Sequence, residues 1–336
     1  MFEVSLLLVV IVITALIFDF TNGAHDCANA IASVVSTKVL TPRAAVTMAA
    51  ILNLVGALMG TEVAKTLGSG IVRPDIVTGS HVLVLAALVG AIGWNSFTWY
   101  FGIPSSSSHA LIGGLMGAAI AYSGFSSLNG MSIVYKVIIP LVLSPLAGFT
   151  MGFILMSLIS LIFFHVNRPL ANRIFRKSQI VSASIMAFSH GLNDAQKTMG
   201  IITLALLIFG HIDEVTVPLW VKLACALAMA AGTGVGGWKI VKTMGQKIFK
   251  LEPVHGVAAE TSSGLVIGFA SMLGAPVSTT HTITACIFGV GSTKRLSAVR
   301  WGVAGNLLIA WILTIPAAAL VGGLSFLLLD VIFAGM

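Results

Sequence analysis

The feature that most constrains this chain is a succession of long apolar runs separated by short polar loops. Such runs, in a sequence that is 57% hydrophobic and 9% charged with a mean hydropathy of +1.03, belong to a bilayer. A soluble core does not require so little charge. The first run does not read as a cleaved signal. It lacks a basic start, carries Glu3, and continues into a polar motif where a cleavage site would stand. Cys27, Cys225 and Cys286 lie in apolar segments at unrelated spacings. They read as small packing residues, neither a disulfide framework nor a metal cluster.

The net charge of +7 raises nucleic acid as a partner, but its distribution argues against one. Thirteen Lys and Arg residues cluster in the stretches 38–43, 168–177, 239–250 and 294–300, whereas the other connections hold only Lys65, Arg73 and Lys136. That split is the positive-inside bias of a multi-spanning membrane protein.

The chain also repeats itself. Phe20-Thr21-Asn22-Gly23-Ala24-His25-Asp26 resembles Phe188-Ser189-His190-Gly191-Leu192-Asn193-Asp194. Gly102-Ile103-Pro104-Ser105-Ser106-Ser107-Ser108-His109 resembles Gly274-Ala275-Pro276-Val277-Ser278-Thr279-Thr280-His281. A weaker pair, Lys65-Thr66-Leu67-Gly68 and Lys242-Thr243-Met244-Gly245, falls between them in the same order. Equivalent loops differ in charge: 38–43 is basic and 210–217 acidic, 61–80 nearly balanced and 238–258 basic, 123–134 uncharged and 291–300 basic. Matching segments with opposite sidedness predict an inverted-topology repeat, the plan of many secondary transporters.

The expected fold is all-α and polytopic: two inverted repeats, 1–164 and 179–336, joined by a cytoplasmic basic linker, 165–178. Residues 3–37 cross once, broken near the motif, and 43–60 return; 80–122 form a re-entrant pair and 133–164 cross again. The second half follows through 179–210, 217–237, a pair at 256–291 and a last helix from 297, leaving both termini extracellular.

Two kinds of motif carry the chemistry. Asn22, His25, Asp26 and Asn29 share one helical face, and a polar face in mid-membrane must meet protein or water. Gly23 and Gly191 would let the helix unwind or let another backbone approach. Such a cluster can be packing glue between helices. The functional alternative is a coupling-ion site built from Asp26, Asp194, Asn29 and Asn193. In the second motif, Pro104 with Ser105, Ser106, Ser107 and Ser108, and Pro276 with Ser278, Thr279 and Thr280, are expected to open helices after Gly-X-Pro turns. Free N–H groups and hydroxyls there make an anion site for a phosphate-like oxyanion; plain N-capping is the alternative. His109 and His281 either orient the hydroxyls or make structural hydrogen bonds. Glu260 reads equally as a proton carrier or an interfacial residue.

These motifs resemble the inorganic phosphate transporter (PiT) family along essentially the whole chain, and its bacterial low-affinity branch in having His25 where the general pattern has Asn. The resemblance implies phosphate uptake driven by a cation gradient, a cell-membrane location and a homodimer. It carries over to Asp26, Ala28, Asn29, Asn193 and Asp194. A histidine at position 25 weakens sodium as the coupling ion and favours protons or a neutral metal–phosphate complex, because imidazole titrates near neutrality. Lys197, standing where the first half has Asn29, would neutralise an aspartate or draw the anion. The predicted activity is therefore phosphate symport without a cofactor. The hydroxyls, with Gln196 and Lys197, bind the anion; Asp26, Asn29, Asn193, Asp194, Asn22 and His25 bind the cation. A sulfate permease of the same fold is the alternative, and an anion channel or a membrane-embedded hydrolase using His25, Asp26, His190 and Asp194 are more distant ones.

Overall fold

The computed structural model describes residues 6–68, 71–73, 80 and 82–333, and helices account for nearly all of them. In chain order they are α1 (Leu6–Ser36), α2 (Pro42–Leu58), α3 (Glu62–Gly68), α4 (Val82–Phe101), α5 (Ser107–Ser123) and α6 (Gly130–Ile162). Then follow α7 (Arg168–Ile208), α8 (Leu219–Val235), α9 (Trp238–Lys247), α10 (Pro253–Met272), α11 (Thr279–Lys294) and α12 (Trp301–Phe333). Four of them, α1, α4, α6 and α12, are long and apolar enough to cross a membrane, and α8 with α9 makes a fifth such span bent by 61°. The last six helices repeat the order of the first six: a long motif helix, a second helix, a short one, a hairpin and a long outer helix.

Local chemistry explains the boundaries. Thr41 caps α2 ahead of Pro42, which suits a first turn that needs no N–H. Asn167 caps α7 through Leu170 N at 3.0 Å, so the residues expected in the basic linker form the first turns of this helix instead. The stretches 61–80 and 238–258, read as loops, contain α3 and α9.

The break expected in the motif helices is absent. Both α1 and α7 stay helical through Gly23 and Gly191. These glycines serve close approach instead: a Cβ on Gly23 would meet Thr233 N of α8 at 3.0 Å, and one on Gly191 would meet Asn53 Cα of α2 at 2.5 Å. Each motif helix is thus clasped by the second helix of the opposite half. Interruptions fall elsewhere, at the α8–α9 bend and at the two hairpin tips.

At the tips, Gly102 and Gly274 both adopt φ +69°, where glycine alone is unstrained. The prolines stand two residues ahead of the N-caps rather than in the first turn. Ser106 and Ser278 are the caps, and α5 and α11 begin one residue later.

The α1 and α7 helices run antiparallel along one seam. Asp19 meets Thr198, Asp26 lies beside Asp194, and Thr37 meets Gln179, so rising numbers on α1 pair with falling numbers on α7. The outer helices exchange between halves, α6 packing on α11 and α12 on α5. Their outward faces expose Leu143, Leu146, Leu158, Leu308, Ile312 and Leu328, while the interior packs apolar clusters around a set of buried polar side chains. This arrangement fits a lipid surround.

Candidate functional site

Both motif helices and both hairpin tips meet in one buried cluster. From α1, His25 Nδ1 lies 2.6 Å from Asp26 Oδ1, and its Nε2 reaches Thr98 Oγ1 of α4 at 3.1 Å. Ser105 Oγ, in the first tip, donates to Thr98 at 2.9 Å and sits 3.4 Å from the same imidazole nitrogen. Asn29 Nδ2 crosses to the opposite half, donating to Thr280 Oγ1 at 2.9 Å and Thr279 Oγ1 at 3.3 Å. Those hydroxyls in turn donate to the acids: Thr279 to Asp194 Oδ2 at 2.9 Å and Thr280 to Asp26 Oδ1 at 3.3 Å.

The matching position on α7 is Lys197, only 2% exposed, and it too crosses over. Its ammonium donates to Asp194 Oδ1, to Ser108 Oγ of α5 and, at 3.1 Å, to the Val277 carbonyl in the second tip. Three acceptors from three elements hold one cation, which is what a buried ammonium requires. Of the two roles expected of Lys197, the contact with an aspartate is the one this geometry contains.

Several donors and acceptors of the two motifs have no protein partner. Ser107 Oγ, Asn29 Oδ1 and Asn193 Oδ1 are buried with no hydrogen bond. Unpaired buried polar groups are costly, and each of these calls for a partner that the protein does not supply. The ligand atoms of Asp26, His190 and Asp194 all lie within 4.8 Å of one another. Two carboxylates and an imidazole make a donor set for a cation with some affinity for nitrogen, or for a proton.

Not every predicted residue belongs to this cluster. Gln196 faces away: its Oε1 accepts Val63 N at 2.8 Å and Ala64 N at 3.4 Å, capping α3. Lys197 is three residues from Asp194 and shares its face, whereas Gln196, two residues away, points to the other side of the helix. Asn22 turns to α8, where its Nδ2 lies 3.9 Å from Met229 Sδ. Asn193 donates to Ser271 Oγ of α10 at 2.7 Å, keeping Oδ1 free. Ser106 and Ser278 accept from His109 N and His281 N, each at 3.2 Å, so these two are caps.

His190 was not predicted as a ligand, yet its Nε2 lies 3.1 Å from Asp194 Oδ2 and its Nδ1 3.1 Å from Asn53 Oδ1. Its i,i+4 spacing from Asp194 was the available signal. Thr98 belongs to neither duplicated motif and carried none. His109 and His281 meet each other with centroids 5.0 Å apart, and His281 stacks on Trp311 at 4.0 Å. Trp311 donates to the Pro104 carbonyl at 3.1 Å, so this aromatic group braces the tips from behind. Glu260 is fully buried, accepting from Ser33, from Ser182 at 2.5 Å and from Gln179 at 3.4 Å, so its carboxylate does not reach the protein surface. His81 lies outside the described residues.

Comparison with known proteins bears on this geometry. The phosphate transporter family matches residues 22–172 and again 165–322. A Bacillus subtilis protein named "Probable low-affinity inorganic phosphate transporter" is 50% identical over 329 residues, covering 98% of each chain. One of the same name from Rhizobium meliloti is 50% identical over 328 residues, covering 97% of each. The solved structure described as "The sodium-dependent phosphate transporter" superposes with a TM-score of 0.90 at 24% identity, covering 97% of this chain and 100% of that one, which shows the shared fold. With motifs, helix order and buried cluster in agreement, this chain belongs to the phosphate transporter family.

Proposed function

We propose that this protein is a secondary active transporter that imports inorganic phosphate by alternating access, with the proton as the coupling cation. The observation that carries this reading is the meeting of two hydroxyl-bearing hairpin tips with two carboxylates and one ammonium in a single buried cluster. Ser107 and Ser108 supply hydroxyl hydrogens that no protein acceptor takes. Ser105, Thr279 and Thr280 line the site with hydroxyls turned to Thr98, Asp194 and Asp26 until the anion arrives, and the first turns of α5 and α11 supply free N–H groups to the oxyanion.

Coupling follows from charge. With both histidines neutral, Asp26, Asp194 and Lys197 leave the cluster one unit negative, so an arriving anion is repelled in a low dielectric. A cation bound among Asp26, His190 and Asp194 removes that repulsion, and anion and cation load together. Imidazoles beside both aspartates support a proton, or a metal ion carried with phosphate, over sodium. A carboxylate also accepts from the O–H of hydrogen phosphate, a donor that sulfate lacks at neutral pH.

The repeated helix order, the antiparallel α1–α7 seam and the flipped charges of equivalent loops support two inverted halves, 1–164 and 179–336, with 165–178 and the other basic loops cytoplasmic. The deciding experiment is phosphate accumulation in proteoliposomes with proton, sodium and divalent-metal gradients imposed separately. Uphill accumulation on an inward proton gradient alone is expected. Downhill flux only would indicate a channel, accumulation requiring sodium would overturn the assignment of the proton, and preferential accumulation of sulfate would overturn the assignment of phosphate.

A further inference from the structure

Asp19 plays no part in the cluster described above, and it has no acidic counterpart in the second half, where Ala187 stands at the matching position. It is nevertheless fully buried inside α1, an unusual place for a carboxylate. Thr198 of α7 donates to its Oδ1 at 2.9 Å, while Oδ2 is enclosed with no hydrogen-bond partner.

The surroundings are specific. Asp19, Asn22 and Asp26 follow i, i+3, i+7 and therefore share a face of α1. Asp19 lies two turns, roughly 10 Å, before Asp26 along the helix axis. Asn22, between them, has its own Oδ1 buried and unpartnered. On α7, Thr198 sits one turn beyond Asp194, so the seam between the two helices runs from Asp19 into the cluster. The charged groups that bear on Asp19 are Asp194 and Lys197 of α7, and Cys225 of α8 lies beside it. On α4, which also packs against α1, the titratable group is Tyr100, held beneath Lys239 at 4.4 Å.

No cation of the protein is bonded to Asp19 among the described residues, in contrast to Asp194 with Lys197. A sodium ion would need several converging oxygens, whereas a proton needs only the free lone pair on Oδ2. We propose that Asp19 is a second proton-binding site, a relay along the α1–α7 seam between the cluster and the face that carries the start of α1. The proton forms an O–H bond on Oδ2, neutralising the carboxylate, and is released to the cluster or to water when the protein changes state. Intramembrane acids in series are a recurrent form of proton relay. This inference rests on the proton coupling proposed above.

The test uses the full-length protein in proteoliposomes containing a pH-sensitive dye, with inorganic phosphate as substrate. The Asp19→Asn variant should still exchange phosphate at equal pH, but accumulate it several-fold more slowly, with a shifted pH profile, under an inward proton gradient. Asp19→Glu should restore the wild-type rate and profile. An unchanged accumulation rate and pH profile in Asp19→Asn overturns the relay and leaves the transport reading standing. Failure of the wild type to accumulate phosphate overturns the transport reading instead. Difference infrared spectroscopy of the purified protein decides the site independently of transport. Raising the pH should remove a protonated-carboxyl C=O band that Asp19→Asn lacks and Thr198→Val shifts. Should Asp19→Asn fail to fold, Thr198→Val carries the test, and a band it leaves unmoved overturns the assignment.

Discussion

Replacing Lys197 by Met removes the ammonium while keeping most of the side chain's bulk. Lys197 is 2% exposed and joins Asp194, Ser108 and the Val277 carbonyl, so its loss leaves Asp194 buried with only His190 and Thr279 as partners. Breaking a buried ion pair by removing one member costs about 3–5 kcal/mol. The denaturation midpoint of the detergent-solubilised protein should fall accordingly. Transport should suffer separately, because an unneutralised Asp194 repels the anion. A charge-assisted hydrogen bond is worth about 1.5–3 kcal/mol, so the phosphate KM should rise by about 10- to 150-fold. The double variant Lys197→Met/Asp194→Asn distinguishes the two effects. With both charges gone, stability should recover most of the loss, while gradient-driven uptake is abolished outright because the carboxylate is missing. If the stability losses of the single variants add within about 0.5 kcal/mol, the two groups are not coupled and the reasoning fails.

Other expectations follow from individual contacts. Gly191→Ala drives a Cβ toward Asn53 Cα, 2.5 Å away, and should sharply lower the yield of folded protein; Gly234→Ala, with nothing within 4 Å, should be neutral or stabilising by about 0.5–1 kcal/mol. Ser106→Ala removes the cap of α5 and should cost about 1 kcal/mol in thermal unfolding. Ser107→Ala removes a hydroxyl with no protein partner and should raise the phosphate KM without changing stability. Asp26→Asn should abolish uphill uptake measured in vesicles, and normal accumulation would remove Asp26 from the coupling machinery.

Much of this architecture is legible in the sequence because the bilayer imposes a coarse rule. Apolar length reports the outer helices. The duplicated Gly-x-x-Asp and Pro-x-Ser/Thr motifs, though far apart in the chain, identify the elements that meet. What sequence reasoning misplaced depends on tertiary packing. Gly23 and Gly191 left unwinding and close approach of a backbone both open, and the break expected beside them does not occur because the missing side chain makes room for α8 and α2, as Thr233 and Asn53 show. Gln196 looked like a ligand because it sits inside the motif; its angular position on α7 sends it to α3 instead. The proline at each tip was read as the first turn, although the cap falls two residues later, on Ser106 and Ser278. His190 shows its i,i+4 spacing from Asp194 in the sequence, but its closeness to Asp26 depends on how α1 packs on α7.

Equilibrium binding of radiolabelled phosphate to the purified protein, titrated against pH, sodium and divalent metal, tests the central claim most directly. Anion and cation are predicted to bind as a unit. Wild-type affinity should strengthen as the coupling cation increases, and Asp26→Asn/Asp194→Asn should bind phosphate with an affinity that no cation alters. Wild-type binding indifferent to every cation, or cation-dependent binding preserved in the double variant, would contradict it.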